Sequence, residues 1–349
     1  MQKQVRTIMP TVTVITRTKD RPLLLKRALE SISKQSFDDY ELIIVNDGGD
    51  QSSVNNLTKQ YNSTIKNIRV IHNNYSLGRA EALNVALNNS DSVYIAIHDD
   101  DDEWNPEFLK LTTDYLKNTR SKGVVTTTDR IIEKIANGKI SIISTERWHP
   151  EVHEISFYKM CLDNYATPIN FMYERSILKT TGYYDKSLDT GEDWEFALRF
   201  LLYYDIDFLD TPYALAYYHH RPSSKGDNAN SVFLQNHEKN LAKLRNSLLR
   251  QDLQKGRFGL GYLVNSIKYF HDETKTQKQY SEYIIEKNLD NYTKKLGDRI
   301  DHAMQNLLVE MTNMANKNLE NTKILLNSAT LLRRLAKKIY NLKSSKKYG

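Results

Sequence analysis

Val93-Tyr94-Ile95-Ala96-Ile97-His98-Asp99-Asp100-Asp101-Asp102 joins an apolar run to four consecutive aspartates. A short apolar run bounded by turn residues reads as a buried strand. A strand that delivers four carboxylates to one turn has a charge problem. Like charges this close raise one another's pKa unless a cation neutralises them. Oxygen-only ligands on a short turn suit a hard divalent ion, Mn2+ or Mg2+, and a metal so placed commonly serves a phosphate. The alternative is a solvated acidic turn that caps the next segment.

Upstream, similar apolar runs alternate with helical patterns. Val12-Thr13-Val14-Ile15-Thr16 reads as a strand. A helix follows, with Asp20 as its expected N-cap and Pro22 in the first turn. Leu24, Leu25, Ala28, Leu29 and Ile32 recur on one face of it. Glu41 to Val45 is a second strand, ending in Asn46-Asp47-Gly48-Gly49, and Ser53 to Tyr61 a short helix. Ile68 to His72 is a third strand, and Gly78 to Leu87 a helix with Ala80, Leu83 and Leu87 on one side. This alternation implies right-handed crossovers and an α/β fold with a mostly parallel, Rossmann-like sheet. Such sheets bind ligands beyond the carboxyl ends of their strands. Thr16, Arg17, Thr18, Asp47 and Asp99 to Asp102 all fall at such ends, so they are expected on one rim.

Downstream the pattern changes. Gly123 to Ile143 reads as a hairpin around Asn137-Gly138. Gly191-Glu192-Asp193-Trp194 opens a helix running to about Tyr203, and Thr190 with Asp193 has the spacing of a capping box. Tyr213 to His220 is strand-like and leads into a polar loop from Arg221. From Ser231 onward the chain is helical in periodicity. The expected organisation is a catalytic domain over 1–228 and an α-helical C-terminal region over 229–349.

The net charge of +6 is uneven. Asn321 to Gly349 has no Asp or Glu but carries Lys323, Arg333, Arg334, Lys337, Lys338, Lys343, Lys346 and Lys347. Leu325, Ala329, Leu332, Leu335, Ala336, Ile339 and Leu342 form one helical stripe among them. A basic amphipathic helix predicts binding to an anionic membrane surface; the alternative is packing or homo-oligomerisation through these helices. Nucleic acid is not expected, because no recognition motif accompanies the charge. Cys161 is the single cysteine, which rules out an intrachain disulfide and points to a reducing cytoplasm. No run approaches the roughly 20 apolar residues of a membrane span. The expected location is cytoplasmic, peripheral on the inner face of the plasma membrane.

Over about Thr11 to Ser224 the chain resembles the family 2 glycosyltransferases of the GT-A fold. The resemblance rests on an ordered set: Thr13-Val14-Ile15-Thr16-Arg17-Thr18-Lys19-Asp20-Arg21-Pro22; Leu29-Glu30-Ser31-Ile32 with Gln35; Ile44-Val45-Asn46-Asp47-Gly48; and Ser76-Leu77-Gly78-Arg79. The aspartate run with Trp104 and Pro106 follows, then Gly182-Tyr183-Tyr184-Asp185 and Glu192-Asp193-Trp194. Trp104 and Pro106 set the register of the family's Asp-any-Asp motif at Asp99-Asp100-Asp101. The resemblance implies that Asp99 faces the ribose of a nucleotide-sugar donor and Asp101 binds the metal on its diphosphate. Asp100 stands with the donor contacts and shapes the turn with Asp102. Asp47 reads a uracil-like base, with support from Thr16, Arg17 and Thr18, and Arg79 is placed to meet the nucleotide.

Asp193 is the implied general base of an inverting transfer, with Glu192 the second choice. His219 or His220 completes the metal shell, or Arg221 contacts phosphate instead, and the loop 223–230 closes over the donor. Trp148, Thr167, Asn170 and Trp194, with His149 and Tyr165, are candidate acceptor contacts. The donor expected is a UDP-sugar, with a dTDP-sugar next. The acceptor expected is a saccharide of a surface polysaccharide, free or on a polyprenyl diphosphate. Two other classes remain at this stage. One is a sugar-1-phosphate nucleotidyltransferase, although Thr16 to Pro22 lacks the glycines of a phosphate loop. The other is a catalytically silent nucleotide-binding protein.

Overall fold

A computed structural model of the chain describes residues 9–222, 224, 226, 230, 237–317 and 328–338. It divides into two compact units, Met1–His271 and Asp272–Gly349.

In the first unit β1 (Val12–Thr18), α1 (Pro22–Ser33), β2 (Tyr40–Asp47), α2 (Gln51–Lys59), β3 (Ile68–Asn73), α3 (Arg79–Asn88) and β4 (Tyr94–Ile97) alternate as expected. Next come β5 (Glu103–Trp104), α4 (Phe108–Asn118), β6 (Gly123–Thr126), β7 (Thr128–Ala136), β8 (Lys139–Arg147) and α5 (Phe157–Met160). β9 (Phe171–Glu174), α6 (Leu178–Thr181), α7 (Glu192–Leu201), β10 (Asp207–Leu209), β11 (Ala216–His220), α8 (His237–Gln254) and α9 (Leu260–Lys317) complete the order.

Among the described residues the main sheet runs β10-β6-β9-β4-β1-β2-β3. Only β9 is antiparallel within it. Each central strand feeds both layers of core, because successive side chains point to opposite faces. Val12 and Val14 of β1, Leu42 and Ile44 of β2, and Tyr94 and Ala96 of β4 pack with Leu25, Leu29 and Ile32 of α1. Ile15, Ile43, Val45, Ile95 and Ile97 pack with Leu83 and Leu87 of α3. Burial on both faces explains why these strands read as continuous apolar runs. The strand order reverses where β1 lies between β2 and β4, which opens a crevice beyond their carboxyl ends.

A second sheet, β5-β11-β7-β8, stands beside this crevice. It sets β11 against β5, immediately after the aspartates. Trp104 fixes that corner: its ring stacks on Phe108 at 4.2 Å, and its Nε1 donates to Ile169 O at 2.5 Å.

Three local expectations change. The hairpin is β7–β8, turning at Asn137 and Gly138 with φ of 51° and 70°; Gly123 to Thr126 belongs to the main sheet instead. The N-cap of α1 is Arg21; Asp20, at φ 52°, accepts from Asp50 N at 2.9 Å. No capping box forms at Thr190. The N-cap of α7 is Gly191 at φ 81°, which leaves the Asp193 carboxylate to point elsewhere.

The compact unit continues past residue 228. Leu244 of α8 and Val264 and Ile267 of α9 are buried in the core layer that holds α3 and α7. In the second unit, residues 272–317 are one helix exposing Tyr280, Tyr283, Leu289 and Tyr292. Residues 328–338 are helical and expose Leu331, Leu332 and Leu335. Lys323, Leu325, Ile339, Leu342, Lys343, Lys346 and Lys347 of the basic stripe lie outside the described residues, as do 223, 225 and 227–229 of the polar loop. No described helix is long and apolar enough to cross a membrane.

Candidate active site

The charge problem of the aspartate turn is met largely by arginines. Arg17, near the end of β1, donates Nε to Asp99 at 3.1 Å. Arg21 donates Nη1 to Asp100 and Nη2 to Asp101, each at 2.8 Å. Thr18 Oγ1 donates to Asp100 at 2.7 Å. Arg27 of α1 donates to the Asp101 carbonyl, and Arg221, after β11, to the Asp101 carboxylate. Burial would raise the Asp101 pKa, but Arg21 and Arg221 outweigh it and hold the carboxyl below its ordinary range. Asp102 goes the other way. Burial and the neighbouring charges of Asp101 and Asp99 push it well up.

Glu133 of β7 ties Arg27 and Arg221 together. Fully buried, it accepts from Arg221 Nη1 at 2.7 Å, Arg27 Nη1 at 2.7 Å and His219 Nδ1 at 2.8 Å. Burial opposes its charge, yet His219 and Arg27 hold it at about 2.

Asp99, Asp101 and Asp102 each offer an oxygen within 4.8 Å of the others. Asp102 Oδ2 is buried with no hydrogen-bond partner among the described residues. An orphaned carboxylate oxygen beside two others is a hard donor set, and it fits Mn2+ or Mg2+.

Across the crevice, the first turn of α7 carries the second acidic pair. Glu192 is buried and accepts from Arg17 Nη1 at 2.8 Å and Arg79 Nε at 2.9 Å. Burial opposes ionisation there, but Arg79 and Arg17 bring the carboxyl down to about 2. A group so acidic has almost no proton affinity near neutral pH, so Glu192 is poorly suited as a base. Asp193 is half-buried, with Asn164 Nδ2 donating to it at 3.0 Å. Burial and the Glu192 charge push it up to about 6.

One cavity of about 360 Å³ joins these regions. Arg17, Thr18, Asp47, Arg79, Asp99 to Asp102 and Asp193 all line it. Thr16 is buried and does not line it.

Residues 13–182 match the model of glycosyl transferase family 2. The domain belongs to that family. The chain is 30% identical over 193 residues to the uncharacterized glycosyltransferase MJ1057 of Methanocaldococcus jannaschii, covering 54% of this chain and 64% of that protein. In fold it is similar to S. aureus TarS 1-349, solved in complex with UDP-GlcNAc, at a TM-score of 0.53 and 19% identity over 68% of this chain and 66% of that one. It is similar also to the Pyrobaculum calidifontis mannosyltransferase PcManGT, solved with GDP-Man and Mn2+, at 0.51 and 16% over 76% and 71%.

Within the family 2 domain, Asp47 is engaged by its own loop. It accepts from Asn73, Ser76 and Leu77 N at 2.8 Å each and from Gly78 N at 3.1 Å. Burial would raise its pKa, but those four donors lower it. Asp47 therefore shapes the loop that leads into Arg79.

Among the described residues neither histidine ring joins the aspartate oxygens, although the His219 backbone N donates to Asp102 Oδ1 at 2.8 Å. The rings are drawn to their own neighbours. His219 Nε2 lies 3.0 Å from Glu103 without hydrogen-bond alignment, while Nδ1 is taken by Glu133. His220 packs edge-on against Tyr218 at 4.3 Å. Of the three side chains, that of Arg221 reaches the aspartate carboxylates.

Among the acceptor candidates, Trp148, Thr167 and Trp194 line the cavity. Trp194 is anchored by Nε1 to Met160 O at 2.6 Å. Asn170 is buried and holds Thr128 Oγ1 and Tyr165 O, each at 3.1 Å, outside this cavity.

Sequence reasoning missed Arg27, Glu133, Asn164 and the α8 wall. His237, Leu241 and Arg245 of α8 close one side of the cavity, with the Arg245 guanidinium 5.0 Å over the Trp194 ring. Gly191 makes that approach possible: a Cβ there would lie 2.8 Å from Leu241 Cδ2. The amphipathic period of α8 was the available signal, but it does not say which cavity the helix covers.

Proposed function

We propose that this chain is an inverting glycosyltransferase that moves a sugar from a nucleotide-sugar to a saccharide hydroxyl. The observation that carries the reading is Asp193, at a pKa of about 6, opening onto the same cavity as Asp99 and Asp101. A general base works best with a pKa near the operating pH. Asp193 takes the proton of the acceptor hydroxyl, and that oxygen attacks the anomeric carbon from the side opposite the nucleotide. Glu192, ionised between Arg17 and Arg79, sets the position of both arginines and keeps Asp193 from ionising too readily. Arg17 Nη2 is a buried donor with no partner, and it and Arg79 supply positive charge to the departing diphosphate. Asp99, Asp101 and Asp102 would hold Mn2+ or Mg2+. Bound there, the ion would offset charge developing on the leaving group.

The donor is a UDP-sugar, with a dTDP-sugar as the alternative base. TarS, solved with UDP-GlcNAc, supports a sugar nucleotide in this fold. The acceptor is a surface-polysaccharide unit, free or lipid-borne, met on the cytoplasmic side of the membrane. The test is UDP release from a panel of UDP-sugars with Mn2+ and saccharide acceptors. Acceptor-dependent release from one of them is expected. No release from any UDP- or dTDP-sugar would leave a silent nucleotide-binding protein as the better reading.

A further inference from the structure

A second cavity, of about 270 Å³, lies behind Trp148 and is bounded by Thr126, Trp148, Val152, Tyr165, Asn170 and Phe208. Its place on the fold is informative. Thr126 ends β6 and Phe208 lies in β10, both parallel to β4. The cavity therefore sits on the same carboxyl rim as the first, where sheets of this kind take ligands. Trp148 lines both cavities.

The chemistry of its walls is mixed in a particular way. The rings run in series: Tyr218 lies 5.2 Å from Trp148, Trp148 4.5 Å from His149, and His149 4.7 Å from Tyr165. His149 adopts φ 51°, a conformation that non-glycine residues rarely take and that concentrates at functional sites. Val152 and Phe208 add apolar surface. Against them stands Thr126, 1% exposed, whose Oγ1 has no hydrogen-bond partner. A buried hydroxyl left unsatisfied is costly, and a ligand hydroxyl would relieve it. The volume falls just under the range of about 300–1,000 Å³ typical of whole small-molecule sites. It suits a single sugar ring, with its C–H faces and rim of hydroxyls.

We propose that this cavity is a second saccharide subsite, holding the acceptor unit next to the one whose hydroxyl meets Asp193. The proposal rests on the transferase reading. It makes the enzyme one that recognises at least two linked units, with Trp148 between them.

The test compares chain length. Cellobiose, lactose, chitobiose and mannobiose are titrated against the matching methyl glycosides by saturation-transfer NMR on the full chain, with UDP and Mn2+ present. At least one disaccharide is expected to bind about tenfold more tightly than its methyl glycoside. Thr126→Val and Val152→Phe are expected to remove that gain while the thermal shift given by UDP stays unchanged. A disaccharide gain that survives both variants, or UDP binding with no gain for any pair, overturns the subsite. Should Val152→Phe lose its UDP shift through misfolding, Thr126→Val, which keeps the volume, decides. Failure of the wild-type chain to bind UDP would count against the transferase reading instead, and the sugar titrations would still decide the cavity.

Discussion

The Asp99–Asp102 turn and the first turn of α7 both bring adjacent carboxylates to one cavity, and both push neighbouring carboxyls apart in acidity. They differ in how the groups are held. Side chains from β1, α1 and the segment after β11 fix the aspartates from several directions. Among the described residues Asp193 receives one side-chain donor, from Asn164. Dense pairing suits a framework that must stay charged and still around a phosphate. Sparse pairing suits a group that must gain and lose a proton. Within α7 the contrast is compressed into two residues, since Arg17 and Arg79 serve Glu192 and leave Asp193 raised.

The largest effect should come from breaking the sparse region. Asp193→Asn should lower kcat for transfer by about 10²–10⁴-fold with UDP affinity within a few-fold of wild type. Full transfer activity in that variant would show that the base lies elsewhere. The dense region should answer in stability. Arg221→Met strips a cation from two buried carboxylates, Asp101 and Glu133, and should cost about 3–5 kcal/mol in urea unfolding. A loss of under about 1 kcal/mol would mean that the network is not what holds the turn.

pH separates the two regions further. Asp193 gains its proton as pH falls through about 6, and the protonated acid cannot accept another. kcat should therefore drop about tenfold per pH unit below that point and level off above it. A profile flat to pH 5 would contradict the assignment. The smallest change sharpens the same point. Asn164→Ala removes a donor to the charged form, so the acid limb should move upward, by less than about one unit. A downward move would mean that Asn164 favours the neutral acid.

Much of the frame was legible because buried parallel strands are apolar on both faces, so β1 to β4 announce themselves in a single sequence. The carboxylates were legible because Asp99 to Asp102, Asp47 and Glu192-Asp193 sit at strand or helix ends in recognisable order. What neutralises them was not. Arg27 lies on α1, Glu133 on the hairpin and Arg221 past β11, and no local pattern marks three residues that meet only after folding. The charge argument asked for a cation and named a metal; the fold answers first with guanidinium groups and keeps one Asp102 oxygen unsatisfied. His219 misled for a related reason, since adjacency to the site in sequence does not fix where a ring turns when Glu133 lies beneath it. Arg245 and His237 were out of reach because helical periodicity gives a face and not its neighbour.

The bare backbone at Gly191 has a consequence for anyone who would alter what this protein accepts. The α7 turn carrying Asp193 and the α8 helix fit each other to within the size of one methyl group. A side chain added at position 191 would meet Leu241 Cδ2 at 2.8 Å, so either that leucine or the turn would have to move. Variants that probe the proposed acceptor wall are therefore better placed at Trp148, whose ring neighbours are His149 and Tyr218.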